Sequence, residues 1–197
     1  MSAVRYGLAL ILVITLPALL LSWMLIHPFV HFWRRLGPVW TYSLVGGLIA
    51  LAMMGLLLLH RALLAREFGT SYPLIASGVM CLVASLWMRL QLSKHVGVEL
   101  LVGLPELDPE RHPSAPVTEG LYAWVRHPRY VQVALALLGF TLIANYLAPY
   151  VIFALWLPVL YLIVRLEERE LRERFGQAYE VYCRKVPRFM PRTRRRD

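Results

Sequence analysis

The chain has 197 residues, 58% of them apolar and only 17% charged, and its 21 Lys and Arg against 12 Asp and Glu leave a formal net charge of +9. Soluble domains carry roughly a quarter charged residues, so this balance excludes a freely soluble enzyme. Four stretches, Tyr6–Ile26, Val39–Leu59, Tyr72–Met88 and Tyr130–Val164, contain no Asp, Glu, Lys or Arg and make up nearly half of the chain. A helix needs about 20 apolar residues to cross a hydrocarbon core about 30 Å thick, which reads as an all-α, polytopic membrane protein.

In chain order, the first stretch has one basic residue before it, Arg5. His27-Pro28-Phe29 follows it, not a small-x-small cleavage site. A retained membrane helix over 6–26 is expected in place of a cleaved signal peptide. The second and third stretches predict helices over 39–59 and 72–90. The fourth is too long for one crossing, and Asn145-Tyr146-Leu147-Ala148-Pro149 at its middle carries turn formers, with Pro149 suited to the first turn of a new helix. A helical hairpin over 129–145 and 149–175 is expected, giving five transmembrane helices. The two hairpin helices are short for a bilayer and must thin it or lean on neighbours.

Five crossings put the two termini on opposite sides. With the C-terminus cytoplasmic, only Arg5, Arg61 and Arg66 among the 21 basic residues fall outside, as the positive-inside pattern requires. The basic Arg194-Arg195-Arg196 then reads as an anchor to anionic lipid headgroups, and the net charge needs no nucleic-acid partner. Cys81 falls in the third helix and Cys183 in the tail, too far apart in the topology to bridge or to make a metal site.

Most of the ionisable groups lie in two segments on one side, 91–129 and 165–197, and the chain divides into three membrane helices over 1–92 and a region over 93–197 that holds both segments. The first segment is rich in Gly and Pro and predicts an irregular loop. The second opens with Leu166-Glu167-Glu168-Arg169-Glu170-Leu171-Arg172-Glu173-Arg174, helical by propensity and by i,i+4 pairs of Glu168 with Arg172 and Glu170 with Arg174. Pro128 to Asn145 and Pro149 to Leu166 are of equal length, so at 1.5 Å per residue both hairpin helices run about 25 Å from one turn. Arg126-His127-Pro128 and Glu167-Glu168 are thereby brought to the same depth. Such charges are costly at a membrane boundary unless paired or put to use. One reading is a structural bridge from Arg126 to Glu167 or Glu168. The other is a binding site. Tyr122, Trp124, Tyr130, Tyr161, Tyr179 and Tyr182 crowd the same boundary, as an aromatic belt does in any membrane protein.

Thr118-x-Gly120-x-Tyr122-x-x-x-Arg126-His127-Pro128-x-Tyr130, followed by Asn145, Glu167-Glu168, Phe175-Gly176-x-x-Tyr179-x-x-Tyr182 and Val186-Pro187, resembles the signature of the isoprenylcysteine carboxyl methyltransferase and phospholipid methyltransferase superfamily. The resemblance covers about Lys94 to Pro191. Arg-His-Pro also occurs at Arg111 to Pro113, but only the second copy is followed by x-Tyr and an apolar run.

The resemblance implies an integral membrane methyltransferase, with loop and tail forming a pocket for S-adenosylmethionine. His112, Thr118, Tyr122, His127, Pro128, Tyr130, Glu167 and Glu168 are the implied cofactor residues, and Arg126, Glu168 and Arg188 the candidates for acceptor positioning or base chemistry. No G-x-G-x-x-G stands between a strand and a helix, and no P-loop, H-E-x-x-H or G-x-S-x-G occurs. The implied acceptor is a membrane lipid or a lipophilic or lipid-modified molecule with a carboxylate or amine, reached at the cytoplasmic face, with no obligatory protein partner. An NADPH-dependent membrane reductase of the sterol reductase type and a non-enzymatic membrane scaffold stand as alternatives.

Overall fold

A computed structural model describes residues 2–94 and 118–191. These residues are helical throughout, apart from short connections. The elements are α1 (Ser2–Ile26), a 3-10 turn (His27–Phe29), α2 (Val30–Leu36), α3 (Pro38–Leu63), α4 (Tyr72–Leu92), a second 3-10 turn (Gly120–Ala123), α5 (Pro128–Ala144), α6 (Leu147–Phe175) and α7 (Gln177–Lys185). Four of them, α1, α3, α4 and α6, are long and apolar enough to cross a membrane; α5 is apolar but shorter. At 1.5 Å per residue α5 is about 25 Å long. The short helices α2 and α7 have no counterpart in the sequence reading, because neither carries a long apolar run.

The core is built around α1. Ala9, Leu12, Val13 and Leu16, at i, i+3, i+4 and i+7 on one face, are buried against Tyr130 and Ala144 of α5, Tyr146, and Trp156, Leu160 and Val164 of α6. By contrast α3 leaves most of its side chains exposed, including Leu51, Met54 and Leu58, the surface expected of a helix bathed in lipid.

α4 and α5 pack most closely, and two glycines explain it. A Cβ built on Gly78 would lie 2.7 Å from the Gly139 carbonyl oxygen, and one on Gly139 would lie 2.7 Å from that of Gly78. Lipid tails are as apolar as leucine, so membrane helices associate through close packing of small residues. Ser85 Oγ on α4 also donates to the Gln132 carbonyl of α5 at 3.0 Å, and Gln132 Nε2 donates back to Ser85 Oγ at 2.8 Å.

The connection from α5 to α6 is Asn145-Tyr146. Asn145 caps α5 in the left-handed region at φ 55°, which asparagine tolerates better than most residues. Its Nδ2 donates to the Gly69 carbonyl at 2.9 Å, its Oδ1 accepts from the Tyr150 hydroxyl at 3.0 Å, and the segment after α3 pairs with it through a Glu67–Tyr146 bridge. Arg5, 3% exposed, joins this end: its Nε donates to the Ala144 carbonyl at 3.1 Å and its Nη1 lies 2.7 Å from Glu67. At the other end, Arg34 of α2 pairs with Glu170 of α6 at 2.7 Å. The N-terminus of α1 and the α5–α6 connection therefore share one end of the molecule, and α2 and the charged part of α6 share the other.

Candidate functional site

The site is assembled where α5 begins and α6 leaves its apolar run. Pro128 takes the first position of α5, where its missing N–H costs nothing, and His127 precedes it with extended φ of −124°. That geometry turns the Arg126 and His127 backbones outward as donors. The tail after α7 accepts from both: Arg126 N–H bonds to the Pro187 carbonyl at 2.8 Å and His127 N–H to the Arg188 carbonyl at 3.0 Å. Helix α7 makes this return possible by reversing the chain after Gly176, and the Tyr182 hydroxyl ties it to the Tyr122 carbonyl at 2.7 Å.

Glu168 is at the centre. It is fully buried, and three elements send it cations. Arg188 grips it with both arms, Nε to Oε1 at 2.9 Å and Nη2 to Oε2 at 2.8 Å. Arg126 Nη2 lies 3.1 Å from Oε1, His127 Nε2 3.2 Å from the same oxygen, and Arg172 Nη2 3.4 Å from Oε2. Glu168 stands beyond the charge-free part of α6, which ends at Val164. Burial alone would raise its carboxyl pKa; the hydrogen bonds from His127 and Arg188 and the charges of Arg126 and Arg188 overcome this and hold it well below the usual carboxylate range.

Glu167 faces differently. It is partly exposed, its Oε2 accepts from the Tyr130 hydroxyl at 2.7 Å, and His127 Nδ1 is 3.9 Å away. Tyr130 is itself buried, with the Trp23 ring edge-on at 5.2 Å and the His127 ring at 5.7 Å. Phe189 covers the other side of His127 at 6.1 Å. Arg126 Nε is buried with no hydrogen-bond partner among the described residues.

A cavity of about 340 Å³ opens beside this cluster, lined by Arg89, Leu92 and Ser93 of α4, Tyr122, and Arg129, Gln132 and Val133 of α5. On its wall, Tyr122 has its phenol pKa pushed up by burial; Glu167 adds to the rise, and Arg129 opposes it. Burial likewise raises Tyr179 and Tyr182, so all three phenols stay protonated donors.

Of the sequence candidates, Arg126, His127, Tyr130, Glu167, Glu168 and Arg188 come together, with Pro128 buried beneath them and Tyr122 at their edge. Thr118 is exposed. His112 lies outside the described residues. The two walls meet by direct ion pairing, with Arg188 between them, and the cavity lies to the side. Arg172 is the i,i+4 partner of Glu168 that the spacing predicts. Phe189, Trp23 and Arg89 are not among the candidates, because aromatic and basic residues are so common at this boundary that no spacing singles these three out.

Comparison with known proteins places this site in context. A Protein-S-isoprenylcysteine O-methyltransferase from Schizosaccharomyces pombe is 37% identical over 76 residues, 38% of this chain and 32% of the relative. The chain thus spans about a third of the length of that curated relative. No solved structure matches the chain. The family model for phospholipid methyltransferase matches residues 73–178, which takes in α4, the second 3-10 turn, α5, α6 and the carboxylate pair. More than half of the sequence is covered, and the chain belongs to the phospholipid methyltransferase family.

Proposed function

We propose that this protein transfers a methyl group from S-adenosylmethionine to a lipid or lipid-modified acceptor, at the cytoplasmic face of the membrane that holds it. The observation that carries the reading is the meeting of Arg126, His127 and Tyr130 with Glu167 and Glu168 within the family-matched part of the chain, at the end of two apolar helices.

The residues present fit the cofactor. Arg126 offers a buried Nε with no partner among the described residues, suited to a carboxylate. Glu167 keeps accessible acceptor capacity for a ribose hydroxyl or an amino group, and Tyr122 and Phe189 offer aromatic faces that attract a sulfonium. When bound, the sulfonium supplies an activated methyl carbon for in-line displacement. The chain's part is to align the acceptor and keep water out, and a carboxylate acceptor needs no base. We assign Glu168 to positioning: its oxygens are taken by Arg126, His127 and Arg188, which leaves it a poor proton acceptor. For an amine acceptor, Glu167 and His127 are the better placed bases.

Five crossings with the N-terminus outside agree with this reading. Arg5 and the α5–α6 connection share one end, while Arg34, Arg89, Arg126 and the tail share the other, where positive charge concentrates. The test is direct. Detergent-solubilised protein should bind S-adenosylmethionine and not NADPH, and membranes containing it should pass a methyl label to a lipid-soluble fraction. Binding of NADPH alone would overturn the proposal in favour of a reductase.

A further inference from the structure

Tyr130 is the residue through which the start of α5 reaches the partly exposed carboxylate, its hydroxyl donating to Glu167 Oε2 at 2.7 Å. The phenol oxygen swings with both side-chain torsions, so this contact lasts only while the ring is held in place. Two rings flank it. The His127 ring, from the residues just before α5, lies tilted at 5.7 Å, and the Trp23 ring, from α1, stands perpendicular to it at 5.2 Å and 88°. A perpendicular pair sets the positive edge of one ring against the negative face of the other, a geometry that an aliphatic side chain does not reproduce.

The packing of α1 delivers Trp23 to this point. Leu16, Leu20 and Trp23 follow at i, i+4 and i+7 and extend the buried face of α1 into its last turn, with Trp23 partly buried against the core that includes Tyr130. Beyond it, the 3-10 turn lies against α6, and Arg34 of α2 pairs with Glu170 at 2.7 Å. The end of α1 is thus tethered to the same charged stretch of α6 that carries Glu167. Neither α1 nor α2 falls within the family-matched residues, which begin at 73. An element outside the matched region therefore touches the site.

We propose that Trp23 is a positioning residue, fixing the Tyr130 ring so that its hydroxyl orients Glu167 toward the cofactor. Its bearing on methyl transfer rests on the function proposed above; the coupling of Trp23 to Glu167 through Tyr130 does not.

The experiment uses the full chain in detergent and reads S-adenosylmethionine affinity and, in a second preparation, the fluorine resonance of fluorotyrosine incorporated in place of Tyr130. Trp23→Leu should weaken binding about five- to tenfold, the worth of one edge-to-face pair. In a Tyr130→Phe background the same change should have little further effect, because the hydroxyl it positions is gone and coupled residues are not additive. Glu167→Gln should shift the fluorine resonance when Trp23 is present and barely move it in Trp23→Leu. Trp156→Leu alters the same core at a point roughly 16 Å before Glu167 along α6; it should lower the thermal midpoint and leave affinity at the wild-type level. Wild-type affinity in a folded Trp23→Leu, full additivity with Tyr130→Phe, or equal affinity losses in Trp23→Leu and Trp156→Leu would overturn the proposal. If Trp23→Leu does not fold, Trp23→Phe takes its place, keeping a ring of shorter reach: lowered affinity and a reduced fluorine response support the proposal, and wild-type values for both overturn it. A wild type that binds no S-adenosylmethionine but keeps the Trp23-dependent fluorine response would sink the methyl-transfer reading and leave the positioning role standing.

Discussion

Arg188 holds both oxygens of Glu168, at 2.9 and 2.8 Å, although the chain leaves the site and returns between the two residues. Glu168 is buried completely and Arg188 is 28% exposed on its side chain. The pair therefore joins the tail to α6, and with Arg126 and His127 it joins both to the start of α5. Removing the carboxylate charge leaves several cations facing one another. Glu168→Gln should lower the thermal midpoint in detergent, by an amount corresponding to about 3 kcal/mol for a broken buried ion pair. Glu167→Gln should leave the midpoint near wild type and weaken cofactor binding. Equal thermal losses in the two variants would contradict the division of roles.

The same pair sets an acid limit. A carboxyl held below its ordinary value in the folded state contributes stability that is complete above the unfolded value, 4.5, and is lost as pH falls below it. The thermal midpoint of wild type should therefore drop as pH falls below about 4.5, and Glu168→Gln should flatten that part of the profile. A profile of unchanged steepness in the variant would place the acid sensitivity elsewhere.

How far the sequence anticipated this site depends on the kind of information each residue needs. The apolar runs and the Asn145 turn place His127 and Glu168 at equal depth because helix rise is constant, and that much follows from counting. Which carboxylate turns inward does not follow, since Glu167 and Glu168 are adjacent and only the packing of α6 against α5 distinguishes them. Arg188 is reached through α7, a helix whose placement depends on the Tyr182 to Tyr122 contact and on backbone pairing of 187–188 with 126–127. The Gly78–Gly139 approach is a pairing between two helices, and glycines at Gly46, Gly47 and Gly55 look the same in sequence yet meet nothing within 4 Å.

That glycine contact gives its own prediction. Gly78→Ala or Gly139→Ala places a methyl 2.7 Å from a backbone carbonyl oxygen, and a backbone cannot give way as a side-chain tip does. Each should cost about 1–3 kcal/mol in thermal stability, whereas Gly55→Ala, with open space around it, should be neutral or slightly stabilising.

Tyr130 offers a finer probe of the exposed carboxylate. Its hydroxyl donates to Glu167 at 2.7 Å while its ring stays packed between Trp23 and His127. Tyr130→Phe keeps the ring and removes the donor, so folding should change by no more than about 1 kcal/mol. Affinity for S-adenosylmethionine should fall several-fold, because Glu167 loses the contact that orients it. Unaltered affinity would mean that Glu167 takes no part in holding the cofactor.

Asn145 tests the opposite end of the molecule, where no chemistry is expected. It combines a left-handed backbone, φ 55°, with a side chain that donates to Gly69 and accepts from Tyr150. Asn145→Gly keeps the backbone conformation free of strain and loses both hydrogen bonds; Asn145→Ala loses the bonds and adds the strain of a Cβ in that region, about 1 kcal/mol more. The order of thermal midpoints should be wild type, then glycine, then alanine. Because the loss falls on the α5–α6 connection and not on the charged cluster, cofactor affinity in both variants should stay at the wild-type level wherever the protein remains folded. If alanine matched or exceeded glycine, the turn would owe its shape to the surrounding helices and not to this residue's backbone preference.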